Sequence, residues 1–430
     1  MVVDSLLTIV CLDLPHGLEV GKLVEEVGDE ELVWQRVQAL VGQFSKYKKH
    51  MSANAVSEGV FDGYFHEYQH LALLERKEKR PLVKISKPIL FKNRYLDIIP
   101  VEETNVVLGV PASAARDMKG MTQSEVEAAE AETYINANYV SLWTGLIYVA
   151  AQGPLPNTVV DFWRMVWQED SSMIVMLTNL VERGIEKCHR YWPSIGESAG
   201  GASAAGNGDE EAALYAVDVG PFVIELLSQD VSQDYVLRRL RMVHTESGLI
   251  KHVLQAHYTA WPDQGTPDPA PFARFCNVIN SRQVSLKPAP LIVHCSAGVG
   301  RTGVFMACHD ILEHMRTYLV TGASEMAFLF DVKGTVRKMR QHRPFMVQNV
   351  DQYRFVYEYV RSQVGSFLAS DSIQDLVAAH PEQQESLSRL LSASSPVPGA
   401  AEDSDSYDDL SAVVVGGDDS AASWAASETS

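Results

Sequence analysis

From Asp29 onward the apolar residues fall at helical spacing. Leu32, Val33, Val37, Leu40, Val41 and Phe44 share one face of "DEELVWQRVQALVGQF", whose acidic first turn suits a helix N-terminus. "FDGYFHEYQHLALLERKEKR" (61–80) reads as a second helix, closed by Pro81. Beyond it the apolar runs shorten. "YINANYV" (134–140), "LIYVAAQ" (146–152) and "MIVMLTNL" (173–180) predict strands, with a helix over "TVVDFWRMVWQED" (158–170) among them. "PLIV" (290–293) predicts one more strand, and "TGVFMACHDILEHMRTYL" (302–319) a helix after it. Residues 1–28 show no clear pattern. After "QYRFVYEYVRSQV" (352–364) the composition turns to Ser, Ala and Asp. "SIQDLVAAHPEQQESLSRLL" (372–391) predicts at most a marginal helix, and the last 35 residues read as disordered.

Strands mixed with helices predict an α/β fold: one domain over 29–365, a twisted mixed sheet with helices on both sides, and an acidic tail over 366–430. Two stretches look inserted, 103–131 and the low-complexity 194–211, which reads as a surface loop. Charge sharpens this division. The tail carries 12 acidic residues against one basic, Arg389, a net of −11 out of −19, so −8 is left for residues 1–365. Neither part has the basic footprint of a nucleic-acid binder. Cys11, Cys188, Cys276, Cys295 and Cys308 are scattered, odd in number and without metal-ligand spacing, which points to a reducing cytoplasm, or a nucleus. The apolar N-terminus lacks a basic segment and is too short to span a bilayer, so no membrane span is expected.

Candidate chemistry concentrates in "HCSAGVGRTG" (294–303). From Gly298 it reads G-x-G-x-x-G, a dinucleotide fingerprint; from Cys295 it reads C-x5-R, a thiolate beside a fixed cation. The dinucleotide reading needs further βα units, and only about 60 residues, mostly helical in pattern, separate Gly303 from the tail. The thiolate reading uses more of the residues. A Cys at the end of a buried strand faces loop N–H groups and the positive end of the next helix, which lowers a thiol pKa to about 3.5–7.5. Arg301 can offer its planar fork to two oxygens of an oxyanion. Ser296, Ala297, Gly298, Val299 and Gly300 let the backbone wrap a phosphate.

With these motifs in hand, the chain resembles the phosphotyrosine-specific protein-tyrosine phosphatases over roughly residues 57–362. "KNRYLDIIP" (92–100) resembles the phosphotyrosine-recognition loop, "HYTAWPDQGTPDP" (257–269) the mobile acid loop, and "MVQNVDQYRF" (346–355) the glutamine loop. "YINANYV", "AAQGPLPNTVVDFWRMVWQ" (150–168) and "IVMLTNLVERGIEKCHRYWP" (174–193) resemble core segments of the family. The resemblance implies a nucleophile at Cys295, a general acid at Asp263 and an attacking water oriented by Gln348, with Gln352 assisting. It implies a hydrogen bond from Thr302 to the sulfur, a loop-organising His294, a Glu182 that pairs with Arg301, and a Lys187 near the acid loop. Tyr95 would wall a deep cleft that phosphoserine and phosphothreonine are too short to use, and Asp97 would hold the substrate backbone. Leu96 carries no charge, so no strong pull on acidic flanking sequence is expected, and the neutral residues between Cys295 and Arg301 argue against a lipid substrate.

The activity implied is hydrolysis of phosphotyrosine in tyrosine-phosphorylated proteins through a cysteinyl phosphate, without metal or cofactor. Two other readings compete: a phosphotyrosine-binding adaptor, which would lack the Cys, Asp or Arg that are all present, and a dual-specificity phosphatase, which would lack the "NRY" loop. Tyr407, in "EDSDSYDDL", is either a phosphorylation site or a plain tyrosine in an acidic tail.

Overall fold

The computed structural model describes residues 20–55, 62–109, 122–193, 215–283, 289–322 and 329–380. The 194–211 stretch, the tail beyond 380 and Tyr407 lie outside these. The helices are α1 (Val20–Val27), α2 (Glu30–Ala55), α3 (Gly63–Lys77), α4 (Lys87–Leu90), α5 (Gln123–Thr133), α6 (Val159–Gln168), α7 (Pro269–Gln283), α8 (Gly300–Thr321), α9 (Val332–His342), α10 (Val350–Leu368) and α11 (Asp371–Ala378). The strands are β1 (Asn105–Val107), β2 (Tyr134–Ser141), β3 (Ile147–Ala151), β4 (Met173–Met176), β5 (Val181–Glu182), β6 (Ile185–Glu186), β7 (Tyr215–Val219), β8 (Phe222–Val231), β9 (Tyr235–His244), β10 (Ile250–Tyr258) and β11 (Leu291–His294).

Nine strands form one mixed sheet in the order β1-β2-β3-β11-β4-β10-β9-β8-β7, and β5 pairs with β6 in a separate hairpin. The strand that ends in the C-x5-R motif, β11, lies in the middle, parallel to β3 and β4. Its four residues are all buried, as a short continuous apolar run between two helical layers should be. The alternation divides the core. Leu291 and Val293 join Val175, Tyr148 and the α8 residues Val304 and Phe305 on one face, while Ile292 joins Ile174, Val149 and the α6 residues Phe162 and Trp163 on the other. The antiparallel meander β7–β10 was not foreseen; it widens the sheet and carries the chain into the acid loop.

Helix α8 begins inside the C-x5-R motif and is buried along nearly its whole length, packed by α1, α2, α9 and α10. Apolar residues lie on all its sides, and charged residues buried among them are partnered, Asp310 by Trp143 and Thr144 and Glu313 by Arg316. On α2 the buried face is Val33, Trp34, Val37, Leu40, Val41, Phe44, Tyr47 and Met51. Leu32, expected inside, is 36% exposed, because Trp34 takes the inward position.

Three boundaries move. Residues 1–28 do contain structure: α1 buries Leu23 against the core. At the other end α10 continues past 365, and α11 buries Ile373, Leu376 and Val377. His380, just after α11, stacks on Trp34 at 4.3 Å and lies 3.7 Å from Glu31. The tail therefore begins no earlier than this contact: three apolar side chains at helical spacing suffice once α1 and α2 offer a surface. Finally, residues 105–107 pair with β2, so the start of the 103–131 stretch belongs to the sheet edge. Thr122 and Glu125 cap α5 reciprocally.

Candidate active site

The turn after β11 needs Gly298. Its φ is +72°, and a Cβ there would lie 2.1 Å from Ala151 O. The backbone so shaped donates the Gly298 N–H to Cys295 Sγ at 3.2 Å, and the sulfur sits buried at the N-terminal end of α8. Arg301, in the first turn of α8, is clamped by Glu182 through two bonds, Nη1–Oε1 at 2.5 Å and Nη2–Oε2 at 2.9 Å. Glu182 lies on the β5–β6 hairpin and also accepts from Thr178 Oγ1 (3.0 Å) and Asn179 N (3.2 Å). Burial alone would raise its pKa, but Arg301 and these donors hold the carboxyl below its ordinary 4.5. A depressed carboxylate stabilises the fold above its unfolded pKa and loses that contribution as pH falls through the folded value. The thermal-midpoint difference between wild type and Glu182→Gln is therefore expected to be largest at neutral pH and to shrink below pH 4.5; a difference independent of pH would contradict the clamp.

The acid loop follows β10. Trp261 is buried against Tyr258 and Phe272, and its indole lies 5.5 Å from the Arg301 guanidinium. Arg301 Nη2 also donates to Pro262 O at 3.2 Å. These contacts tie the loop to Arg301, with Asp263 in the wall of the cavity that Cys295 also lines. Arg183 approaches Asp263 from the hairpin at 4.0 Å.

The glutamine loop is held by strain. Phe345 and Val347 adopt φ of +62° and +59°, which costs about 1–2 kcal/mol per residue. Val347 N donates to Val299 O at 3.0 Å, and Arg340 donates to Met346 O and Val347 O, each at 3.0 Å. Gln348 is thereby delivered to the cavity. Gln352 lines it as well, while its Oε1 accepts from Gln348 N at 2.9 Å.

One cavity of about 240 Å³ joins Tyr95, Asp97, Glu182, Lys187, Asp263, Cys295, Ser296, Ala297, Gly300, Arg301, Gln348 and Gln352. Tyr95 donates to or accepts from Ser296 Oγ at 2.8 Å, which fixes its ring on the cavity wall. Of the expected residues, Gly298 and Val299 shape the loop from behind. Thr302 is fully buried, and no hydrogen bond joins its Oγ1 to the sulfur, or to any other partner among the described residues.

Sequence reasoning missed Arg343. Fully buried, it donates to Gly298 O (2.9 Å) and Ala297 O (3.0 Å) of the turn after β11, and to Asn138 Oδ1 (2.9 Å) and Asn136 Oδ1 (2.7 Å) of β2. The i, i+2 spacing of the two asparagines puts both on one strand face. Their Nδ2 groups in turn donate to Ile98 O (2.7 Å) and Val101 O (3.0 Å) in the segment that follows Tyr95. Arg94 was missed too; it ties the recognition loop to Gly153 O (3.1 Å) and Pro154 O (2.6 Å).

A family model described as protein-tyrosine phosphatase matches residues 90–362. The chain belongs to the protein-tyrosine phosphatase family. It is 36% identical over 270 residues to tyrosine-protein phosphatase non-receptor type 7 of Mus musculus, covering 62% of each chain. It is 35% identical over 280 residues to receptor-type tyrosine-protein phosphatase S of Gallus gallus, covering 64% of this chain and 16% of that protein. With non-receptor type 4 of Mus musculus it shares 36% identity over 276 residues, 63% of this chain and 24% of the other. The chain thus spans 62% of the length of one of these relatives and about a quarter or less of the other two. No helix among the described residues is long and apolar enough to cross a membrane.

Proposed function

We propose that this phosphatase-family chain hydrolyses phosphotyrosine in tyrosine-phosphorylated proteins through a phosphate ester on Cys295. The observation that carries the reading is the convergence, in one small cavity, of Cys295 and Arg301 with Asp263 and Gln348. In the first step the Cys295 thiolate attacks phosphorus, forming P–S as the P–O bond to the phenol breaks. Asp263, protonated, gives its proton to the departing phenolate, a contribution typically worth about 10²–10⁴-fold. Arg301 and the loop N–H groups bind the three equatorial oxygens. In the second step Gln348, with Gln352 beside it, orients a water. The Asp263 carboxylate takes its proton, the P–S bond breaks, and phosphate and thiolate are restored. Tyr95 would stack on the substrate ring, Asp97 would hold its backbone, and Lys187 would steady the acid loop. A reducing compartment, cytoplasm or nucleus, suits the Cys295 thiolate and the free, buried Cys188, Cys276 and Cys308.

Phosphate release from paired phosphotyrosine and phosphothreonine peptides tests this reading. Turnover of the phosphotyrosine peptide alone is expected. Comparable turnover of both would contradict the depth selection assigned to Tyr95. Tight binding without turnover would make the chain an adaptor.

A further inference from the structure

Behind the catalytic loop lies a buried polar network that the mechanism above does not use. Arg238 on β9 sits directly opposite Gln255 on β10. Its buried guanidinium packs 4.5 Å from the Trp192 ring. Nη1 donates to Gln255 Oε1 at 2.8 Å and meets His257 Nδ1 at 3.4 Å, while Nε donates to Gln229 Oε1 at 2.8 Å. Resting on the reading of the site just given, we propose that Arg238 is a positioning residue that sets the direction of every proton in two branches. One ends at Cys295 and the other at the Thr178 that holds Glu182.

The argument is one of donor and acceptor capacity. A guanidinium can only donate. Gln255 must therefore turn its oxygen to Arg238, which turns its Nε2 to Tyr191 OH at 2.8 Å. Tyr191, accepting there, directs its own proton to His294 Nε2 at 2.8 Å, a far better acceptor than Met176 Sδ at 3.8 Å. With Nε2 accepting, the His294 proton resides on Nδ1, 3.1 Å from the Cys295 carbonyl. In the second branch His257 Nδ1 faces Arg238, so its proton resides on Nε2 and goes to Thr178 O at 2.9 Å. Fixed by that bond to its carbonyl, Thr178 donates through its own hydroxyl to Glu182. Burial lowers the pKa of His294 to about 4 and of His257 to about 3, so both rings are neutral links. Arg238 is lowered by burial only to about 10 and keeps its charge at neutral pH.

The polarity matters at Cys295. A donor on its carbonyl holds that peptide with the carbonyl toward His294 and leaves the loop N–H groups to the sulfur. Reversed, a bare Nδ1 would face a bare carbonyl oxygen at 3.1 Å, two lone pairs opposed in a buried site. The peptide would then turn, and Sγ would lose its register with Gly298 N.

Gln255→Glu tests this with almost no change in shape. The new carboxylate can only accept, so it pairs with Arg238 and takes the Tyr191 proton, and His294 must carry its proton on Nε2. The readouts are the ring nitrogens of His294 by nitrogen-15 NMR, assigned by difference against His294→Gln, and the pH dependence of Cys295 alkylation by iodoacetamide. In wild type the Nδ1–H form is expected. In Gln255→Glu the Nε2–H form is expected, with the alkylation midpoint moved up by about one pH unit, a tenfold change in thiolate at a given pH. An unchanged Nδ1–H tautomer, or an unmoved midpoint, overturns the proposal. Gln255→Leu is the second variant: it removes the donor to Tyr191 without adding charge, so a mixture of tautomers is expected, and a single Nδ1–H form would also overturn it. Neither readout needs phosphotyrosine turnover, so failure of the hydrolase reading and failure of the relay are separable.

Discussion

Cys295→Ser is expected to lower phosphotyrosine turnover by on the order of 10⁴-fold or more while leaving phosphotyrosine-peptide binding little changed. The arrangement of the cavity gives the reason. At the end of β11 the sulfur faces an N–H group and a helix N-terminus, and thiols as a class attack without a partner base far more readily than hydroxyls do. A serine hydroxyl in the same place is a far weaker acid and needs a base to become a nucleophile. The lining contains no histidine. Of the carboxylates in the lining, Glu182 is locked to Arg301, and in the proposed mechanism Asp97 holds the substrate and Asp263 serves the leaving group. The binding elements, by contrast, do not involve the sulfur. Single-turnover phosphate release and calorimetric titration with the same peptide check both halves. A serine variant that retained a substantial share of the turnover would place the nucleophile elsewhere.

Arg343→Met is expected to give the largest loss of stability. The guanidinium is fully buried and satisfies four acceptors: two carbonyls of the catalytic loop and two asparagines of β2. Burial lowers its pKa to about 10, so it remains charged at neutral pH. Methionine fills much of the volume and removes the cost of burying a charge. It leaves those acceptors without a donor, however, at about 1–3 kcal/mol for each buried orphan. A net loss of about 4 kcal/mol is expected, lowering the thermal midpoint by about 10 °C. Because Gly298 O and Ala297 O are among the orphans, affinity for inorganic phosphate should fall with it. A variant with an unshifted midpoint and unchanged phosphate affinity would contradict this role for Arg343.

The difference between Cys295 and Arg343 shows what was legible in the sequence. The catalytic loop could be read because its chemistry is local. A strand, a thiol, small residues and an arginine within one helical turn specify their own geometry. Asp263, Gln348, Tyr95 and Lys187 were legible only through the resemblance, since nothing in an Asp-Gln-Gly or a Val-Gln-Asn announces a cavity 30 to 200 residues away in sequence. The cavity brings them together with Cys295. Arg343 and Arg238 could not be read at all. One lies in a helix-terminal run of basic residues and the other in a strand with three arginines, and only the fold decides which of these turns inward.

The secondary structure shows the same limit. The runs that became β2, β3, β4 and β11 are short, apolar and bounded, and they were read as strands. Strand β9 is half polar by count, yet only Arg239 is exposed while Arg238 and Arg241 are buried beside apolar neighbours, so it shows no two-residue period. Arg241 survives inside by pairing with Glu225 at 2.5 Å, a cross-strand partner that no single-strand pattern can reveal. Helix α1 was missed, and α11 was read only as a marginal helix, for a related reason: each is only 8 residues long, too short to stand alone, and is stabilised by its neighbours, α1 by α2, α8 and α11, and α11 by α1 and α10.

The central claim is that phosphate passes through Cys295. The most direct test is mass spectrometry of acid-quenched enzyme during turnover of a phosphotyrosine peptide, in wild type and in Gln348→Ala. The account predicts a phosphate adduct on the peptide containing Cys295, more abundant in the variant because its hydrolysis has lost the residue that orients water. Turnover with no adduct at Cys295 in either protein, under quench conditions that preserve a synthetic phosphocysteine standard, would contradict it.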